Sequence, residues 1–236
     1  MEVDRLKVNS ATLRAAFAAC AAIEVRLPNN DLSIAAAFHV GEGVFLTARH
    51  VLEGNTVKAV LAQASGEFVA ADDNAAGLTI SQGPVYHVDP NVDVAAFRVK
   101  GLKSGASFFE LGGHYDDWIN DEQWLLSQAV VFGYPPIPMA RDAILVVDRV
   151  TLNAVVDTYR DRYVRFVVSG APRGGFSGGP VYHEWGFVLG MITESLERQG
   201  EPQSNGYLTV LSIEALRECL EHHDMLPACQ RLELED

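Results

Sequence analysis

Rhythm constrains this chain more than any other feature. From Ile23 onward, short runs rich in β-branched and aromatic residues alternate with clusters of Gly, Pro, Asn and Asp. "AIEVRL", "SIAAAFHV", "VFLTA", "TVKAVLA", "EFVAA", "GLTI", "PVYHV" and "VAAFRV" fill the first half. "QAVVFGY", "AILVVDRVTLNAVV", "YVRFVVS", "GPVYH", "GFVLGMIT" and "GYLTVLS" fill the second. Short strands recurring every 8–12 residues or so point to an all-β sandwich or barrel. The alternation of strand and helix that a parallel sheet needs is missing. Two segments read as helices. "SATLRAAFAACAA" has Ser10 as its cap and Leu13, Phe17 and Cys20 as its apolar stripe. "SIEALRECLEHH" is capped by Ser212 and packs back through Leu216, Cys219 and Leu220.

Composition narrows the function. The 236 residues are 48% hydrophobic, enough for a sizeable core. A formal net charge of −13 argues against nonspecific nucleic-acid binding, which needs a basic surface to release counterions. Cys20, Cys219 and Cys229 are odd in number and spaced for neither a disulfide framework nor a zinc site. The N-terminal stretch carries early acids and no long apolar core, so it does not read as a signal peptide. No run approaches the roughly 18 apolar residues of a membrane span. A bacterial cytoplasmic protein that contacts no membrane is the simplest expectation.

Three local patterns carry chemistry. "GVFLTARHVLEG" sets His50 just after an apolar strand. "NVDVAAFRV" sets Asp93 in an apolar strand. "RGGFSGGPVY" crowds four glycines around Ser177. Each alone has a structural reading: a satisfied histidine, a turn aspartate, a tight glycine turn. Together they supply what nucleophilic hydrolysis requires. A serine hydroxyl needs a base of near-neutral pKa to take its proton, and histidine is that base. A carboxylate holds the imidazole in the right tautomer. Glycines let backbone N–H groups converge on a developing oxyanion.

These patterns resemble the chymotrypsin/trypsin-like peptidase family, and in particular its bacterial members without disulfides. "LTARH" is similar to the family's general-base motif, "DVAAFRV" to its acid-bearing strand and "GGFSGGPV" to its nucleophile loop. "GFVLGMITE" resembles the cleft-lining strand, and "VVFGYP" a glycine-proline turn of bacterial members. The order His–Asp–Ser is the family's, with separations of 43 and then 84 residues. The resemblance covers roughly residues 21–220 and implies two Greek-key β-barrels with the cleft between them. The expected division is a helical extension over 1–20, a first barrel over 21–110 carrying His50 and Asp93, and a connecting loop over 111–128. A second barrel carrying Ser177 and ending in a helix follows over 129–220, then a tail over 221–236. By the same resemblance, the Gly175 and Ser177 N–H groups form the oxyanion hole. Thr193, Glu194 and Ser195 offer a strand edge to an extended protein or peptide substrate. The mechanism needs no cofactor and no metal.

Two departures matter. Phe176 stands before the nucleophile where digestive members have an aspartate that pairs with a freshly cut N-terminus. Activation by N-terminal cleavage is therefore not expected. The hole is either preformed or ordered by a partner or ligand. The residue at the base of the specificity pocket maps to Ala171, beside Pro172 and Arg173, so small or apolar residues are expected before the cut bond. Glu194 offers the alternative of recruiting a basic group.

Other readings stand beside this one. "GFSGG" also fits the nucleophile elbow of α/β-hydrolases, but that fold expects serine, acid, histidine in that order. Only 59 residues follow Ser177, and there His222–His223 precedes Asp224. The same trypsin-like fold, catalytically silent, would serve as a protein-binding module. A peptidase switched on by a regulatory partner is a third reading. The group His114 to Asp117 reads as surface, His39, His87 and His183 as strand or turn residues, and His222–His223 as favouring a helix C-terminus.

Overall fold

A computed structural model of the chain describes residues 10–63, 75–102, 104–112, 124–170, 174–195 and 206–231. The first helix, α1, covers Ser10–Ala18. Ser10 lies inside it rather than before it. Cys20, expected on its apolar stripe, instead opens strand β1, Cys20–Arg26, opposite Phe38. Alanine's helical preference is worth a few tenths of a kcal/mol per residue, and two flanking ladders outweigh it. Phe17 docks α1 edge-on against Phe132 of the second sheet, ring centroids 6.2 Å apart.

The first sheet continues through β2, Leu32–Gly41, and β3, Val44–Thr47. A four-residue helix, α2, Arg49–Leu52, follows. Then come β4, Thr56–Gln63, β5, Ala75–Gly77, β6, Thr79–Tyr86, and β7, Ala95–Lys100. Their order is β5-β4-β1-β2-β3-β7-β6. The two outermost strands, β5 and β6, are separated only by Leu78, whose N–H bonds to Val60 O at 2.8 Å. The sheet therefore rolls round on itself. "GLTI" and "PVYHV" are one strand rather than two: β6 runs through both, with its register against β7 slipping on either side of Gln82. "EFVAA" lies outside the described residues, as do His114 to Asp117 and most of the connecting loop.

The second sheet holds β8, Gln128–Gly133, β9, Val146–Val156, β10, Arg165–Ser169, β11, Pro180–His183, β12, Val188–Ser195, and β13, Tyr207–Ser212. It closes into a barrel in the order β10-β13-β12-β11-β8-β9. With β5 and β6 counted as one strand, both sheets share one cyclic order. Three consecutive strands form a meander, the fourth returns beside the first, and the sixth closes the ring. That is a Greek key used twice, and the fold is chymotrypsin-like, mostly β with few helices.

Helix α3, Ile213–His222, buries Leu216, Cys219 and Leu220 as its spacing requires. Ser212 occupies the cap position without a capping bond, and its buried hydroxyl has no partner among the described residues. A buried Gln230 ties the C-terminal segment down. Its amide donates to Val40 O and Phe109 O and accepts from Leu111 N–H. All three cysteines are free thiols, Cys229 exposed and the others buried. Among the described residues no helix is long and apolar enough to cross a membrane.

Three histidines are buried in the neutral form. His39 Nδ1 donates to Ser107 O, and its Nε2 accepts from Gly43 N–H. His183 Nε2 donates to Ser127 Oγ, which passes its own proton to Trp124 O, and Nδ1 accepts from Trp185 N–H. Trp124, Trp185 and Phe187 enclose that ring. Burial pushes the His183 pKa down from 6.5 to about 4, with Glu184 opposing weakly. A depressed histidine pKa stabilises the fold above the unfolded value and loses that contribution as pH falls through the folded one. Between pH 6.5 and 4 this residue should therefore remove stability on the order of 3 kcal/mol. Urea unfolding across that window should show the fall, and His183→Asn should be weaker at pH 7 but visibly less pH-dependent.

Candidate functional site

His50 sits in α2, directly after β3 runs out of the first sheet. A four-residue helix cannot hold itself together by its own hydrogen bonds. Asn55 secures it by donating to His50 O and Val51 O, both at 3.1 Å, and Arg49 pairs with Glu53 through both its Nε and Nη2. Asp93 lies two residues before β7, not within the strand as its sequence context suggested. It stands at the apex of a three-residue turn closed by Val94 N–H to Val92 O at 2.9 Å. Val92 and Val94 are both fully buried, so the apex has little freedom.

The structure brings these two residues together. Asp93 Oδ2 lies 2.7 Å from His50 Nδ1, and Oδ1 accepts the His50 backbone N–H at 2.9 Å. One carboxylate thus holds both the ring and the backbone of the same residue. An ionised carboxylate only accepts, so the proton lies on Nδ1 and the lone pair on Nε2. The His50 side chain is 51% exposed and that of Asp93 18%. The imidazole is open to an incoming molecule while its anchor is mostly covered.

The loop that carries Ser177 comes to the first sheet from the second. The Ser177 carbonyl accepts Ala36 N–H at 2.9 Å across the boundary between the sheets. Gly178, at φ +81°, rests on Ala36 O, Thr47 Oγ1 and the backbone nitrogen of Ala48, two residues before His50. A Cβ there would run into all three. The Thr47 hydroxyl spends its proton on Ala36 O at 2.7 Å. Ala35, Ala36 and Ala37 of β2 are all buried there.

The rest of the loop is held by backbone contacts within the second sheet. Gly178 N–H donates to Ile192 O, Ile192 N–H to Gly179 O, and Gly179 N–H to Phe176 O. Gly175, at φ +94°, accepts Tyr134 N–H at 2.9 Å and would drive a Cβ into the Tyr134–Pro135 backbone. Among the described residues, no acceptor takes the N–H of Gly175 or of Ser177. Phe176 is buried in the core of the second barrel, its ring lying over Gly133 where any Cβ would collide with it. A buried aromatic ring thus anchors the loop at the position before the serine. Gly133 and Ala36 were not singled out from the sequence, though the turn "VVFGYP" and the alanine run carried the signal.

The remaining expected residues divide. Ala171, Pro172 and Arg173 lie outside the described residues. Thr193 is buried at the bulge of β12, where the register against β13 slips between Ile192 and Glu194. Glu194 and Ser195 pair with Thr209 and Leu208 of β13, and the β11 ladder ends at Met191. Beyond Ile192, whose backbone still bonds to Gly178 and Gly179, the strand has a ladder on one side only among the described residues. No group of three or more His, Cys, Asp or Glu converges among them in a way that could hold a metal.

A profile of the trypsin-like peptidase domain matches residues 35–191, which include His50, Asp93 and Ser177. No curated protein matches the chain. Among solved structures, the active form of the Rv3671c protease from M. tuberculosis aligns with a TM-score of 0.64 at 18% identity, over 93% of this chain and 86% of that one. The HtrA-type protease AlgW, solved with a tripeptide, aligns at 0.62 and 18% over 92% of this chain but only 62% of its own. HL collagenase aligns at 0.65 and 13%, over 89% and 95%. At these identities the likeness speaks to the fold. The profile spans most of both barrels, and the chain belongs to the family of trypsin-like peptidase domains.

Proposed function

We propose that the chain is a serine endopeptidase acting on protein or peptide substrates. The observation that carries this reading is the double hold of Asp93 on His50, with the loop of Ser177 lying against Ala48, two residues before that histidine. In this reading Ser177 Oγ attacks the peptide carbonyl while its proton passes to His50 Nε2. Asp93 keeps the other ring proton on Nδ1 and stabilises the imidazolium that forms. The N–H groups of Gly175 and Ser177 receive the oxyanion. Collapse of the tetrahedral species breaks the C–N bond, and the amine leaves with the proton from Nε2. Water, activated by the same histidine, then cleaves the acyl ester and restores Ser177.

The substrate strand adds alongside 193–195, where β12 extends past its β11 neighbour. Small or apolar residues precede the cut bond. The packing of Phe176 over Gly133 supports a loop assembled without a new N-terminus.

Fluorophosphonate labelling of the full chain, read by intact mass, tests this. One adduct is expected with Met1 still in place, and none on Ser177→Ala or His50→Ala. Asp93→Asn should label three to four orders of magnitude more slowly at neutral pH, because the imidazole loses its tautomer. An unlabelled wild type, also after addition of lysate from the native host, would mean a silent fold used for binding. Labelling only after N-terminal trimming would overturn the role given to Phe176.

Gly175→Ala should fold but label about a hundredfold more slowly, since a Cβ at φ +94° forces the Tyr134 contact apart and turns one N–H away. Thermal unfolding beside the labelling rate checks that the loss lies in the site.

A further inference from the structure

The loop that carries Asp93 is organised by a residue that the mechanism above leaves unused. His87 follows β6 and is buried to 3% exposure. Its backbone N–H donates to Val94 O at 3.1 Å, closing the loop at its base. Its Nδ1 accepts the Asp89 N–H at 3.0 Å. Asp89 in turn accepts Asn91 N–H on its carboxylate and Val92 N–H on its carbonyl. Those bonds lead directly into the turn with Asp93 at its apex.

Because Nδ1 accepts, the His87 proton must lie on Nε2, and Nε2–H needs an acceptor. It finds one 3.0 Å away in the hydroxyl of Tyr163, which belongs to the β9–β10 connection of the other barrel. Tyr163 passes its own proton to Glu218 Oε2 at 2.5 Å, on α3. Arg162 pairs with the same carboxylate oxygen. The chain of bonds therefore has one direction only, from the Asp89 backbone amide in the loop that carries Asp93 to a carboxylate on the C-terminal helix. Charged and titratable groups facing His87 are Glu218 and Arg162 from across the boundary and Asp89 from its own loop, with Arg49 near its carbonyl oxygen. Burial lowers the pKa of His87, which keeps Nδ1 unprotonated and able to accept.

We infer that His87, Tyr163 and Glu218 are positioning residues for Asp93, through which the second barrel and α3 set the carboxylate that orients His50. Their role in catalysis rests on the peptidase reading; their effect on the geometry of His50 does not. Removing the Tyr163 hydroxyl leaves His87 Nε2–H without its acceptor. The opposite tautomer would then become competitive, and it sets Nδ1–H against the Asp89 N–H.

The experiment uses Tyr163→Phe in the full chain, with Glu218→Ala as a second variant acting through the same hydroxyl. Nitrogen-15 chemical shifts of the His50 ring report how far its proton is held on Nδ1. In Asp93→Asn they should move toward the Nε2–H tautomer. In Tyr163→Phe they should move part of the way, with the fold kept and thermal unfolding lowered only by what one unpaired buried N–H costs. In the double variant Tyr163→Phe/Asp93→Asn they should stay where Asp93→Asn alone puts them. The fluorophosphonate rate of Tyr163→Phe should fall roughly fivefold to tenfold, and hardly at all on top of Asp93→Asn. Wild-type ring shifts in both Tyr163→Phe and Glu218→Ala, or equal movement in both backgrounds, would overturn the inference. A wild type that carries the expected ring shifts but takes no label would count against the peptidase reading alone, since the ring shifts decide the positioning role by themselves.

Discussion

The site depends on one close approach: the backbone of the loop around Ser177 lies on the backbone of β2 and the end of β3. A side chain on the loop would hold the two sheets apart, so glycine is required at 178. The hydrogen bond from Ala36 N–H to Ser177 O is made at the distance of a strand pair. It fixes the height of the serine over the first sheet without using a side chain. Each buried backbone group in such a contact must find a partner, which leaves the register little room to slip.

The polar parts of the molecule are arranged around the same boundary. Asp93, His87, Tyr163 and Glu218 belong to the first sheet's loop, the second sheet's connection and the last helix. Their bonds cross from one body to another, and so does the larger apolar cluster, which joins the first sheet and α3 to Val130, Phe132, Val188 and Met191 of the second, while a smaller cluster fills the second barrel. Packing holds the barrels together as well as stabilising each one; directional bonds fix the register in which they meet. A directional bond suits this task because a displacement of half an ångström that a hydrophobic contact tolerates weakens a hydrogen bond sharply.

Much of this was legible in the chain. Strand rhythm gave the all-β architecture, and the spacing of Leu216, Cys219 and Leu220 gave the buried face of α3. His50, Asp93 and Ser177 stood out because each chemical type sits in a local pattern the others complete. Where reading failed, a longer-range bond had overridden a local preference. Cys20 left its helix for a ladder with Phe38, Asp93 moved from a strand to the turn before it, and Ser212 took a cap position without capping. His87, read as one more structural histidine, hid its partners because Tyr163 and Glu218 lie 76 and 131 residues further along the chain.

By itself the sequence determined the alternation of short strands and turns, the two helices, and the residue types able to perform acyl transfer. Those are properties of neighbours along the chain, carried by periodicity and by glycine's freedom at single positions. Only the tertiary structure decided that β5 and β6 run on from each other to roll the first sheet up, and that the Phe176 ring packs over Gly133. It alone brought the Asp93 loop under the hold of a tyrosine and a glutamate from elsewhere. These are contacts between segments far apart in sequence. Their formation depends on the relative placement of two closed sheets, which no local pattern encodes.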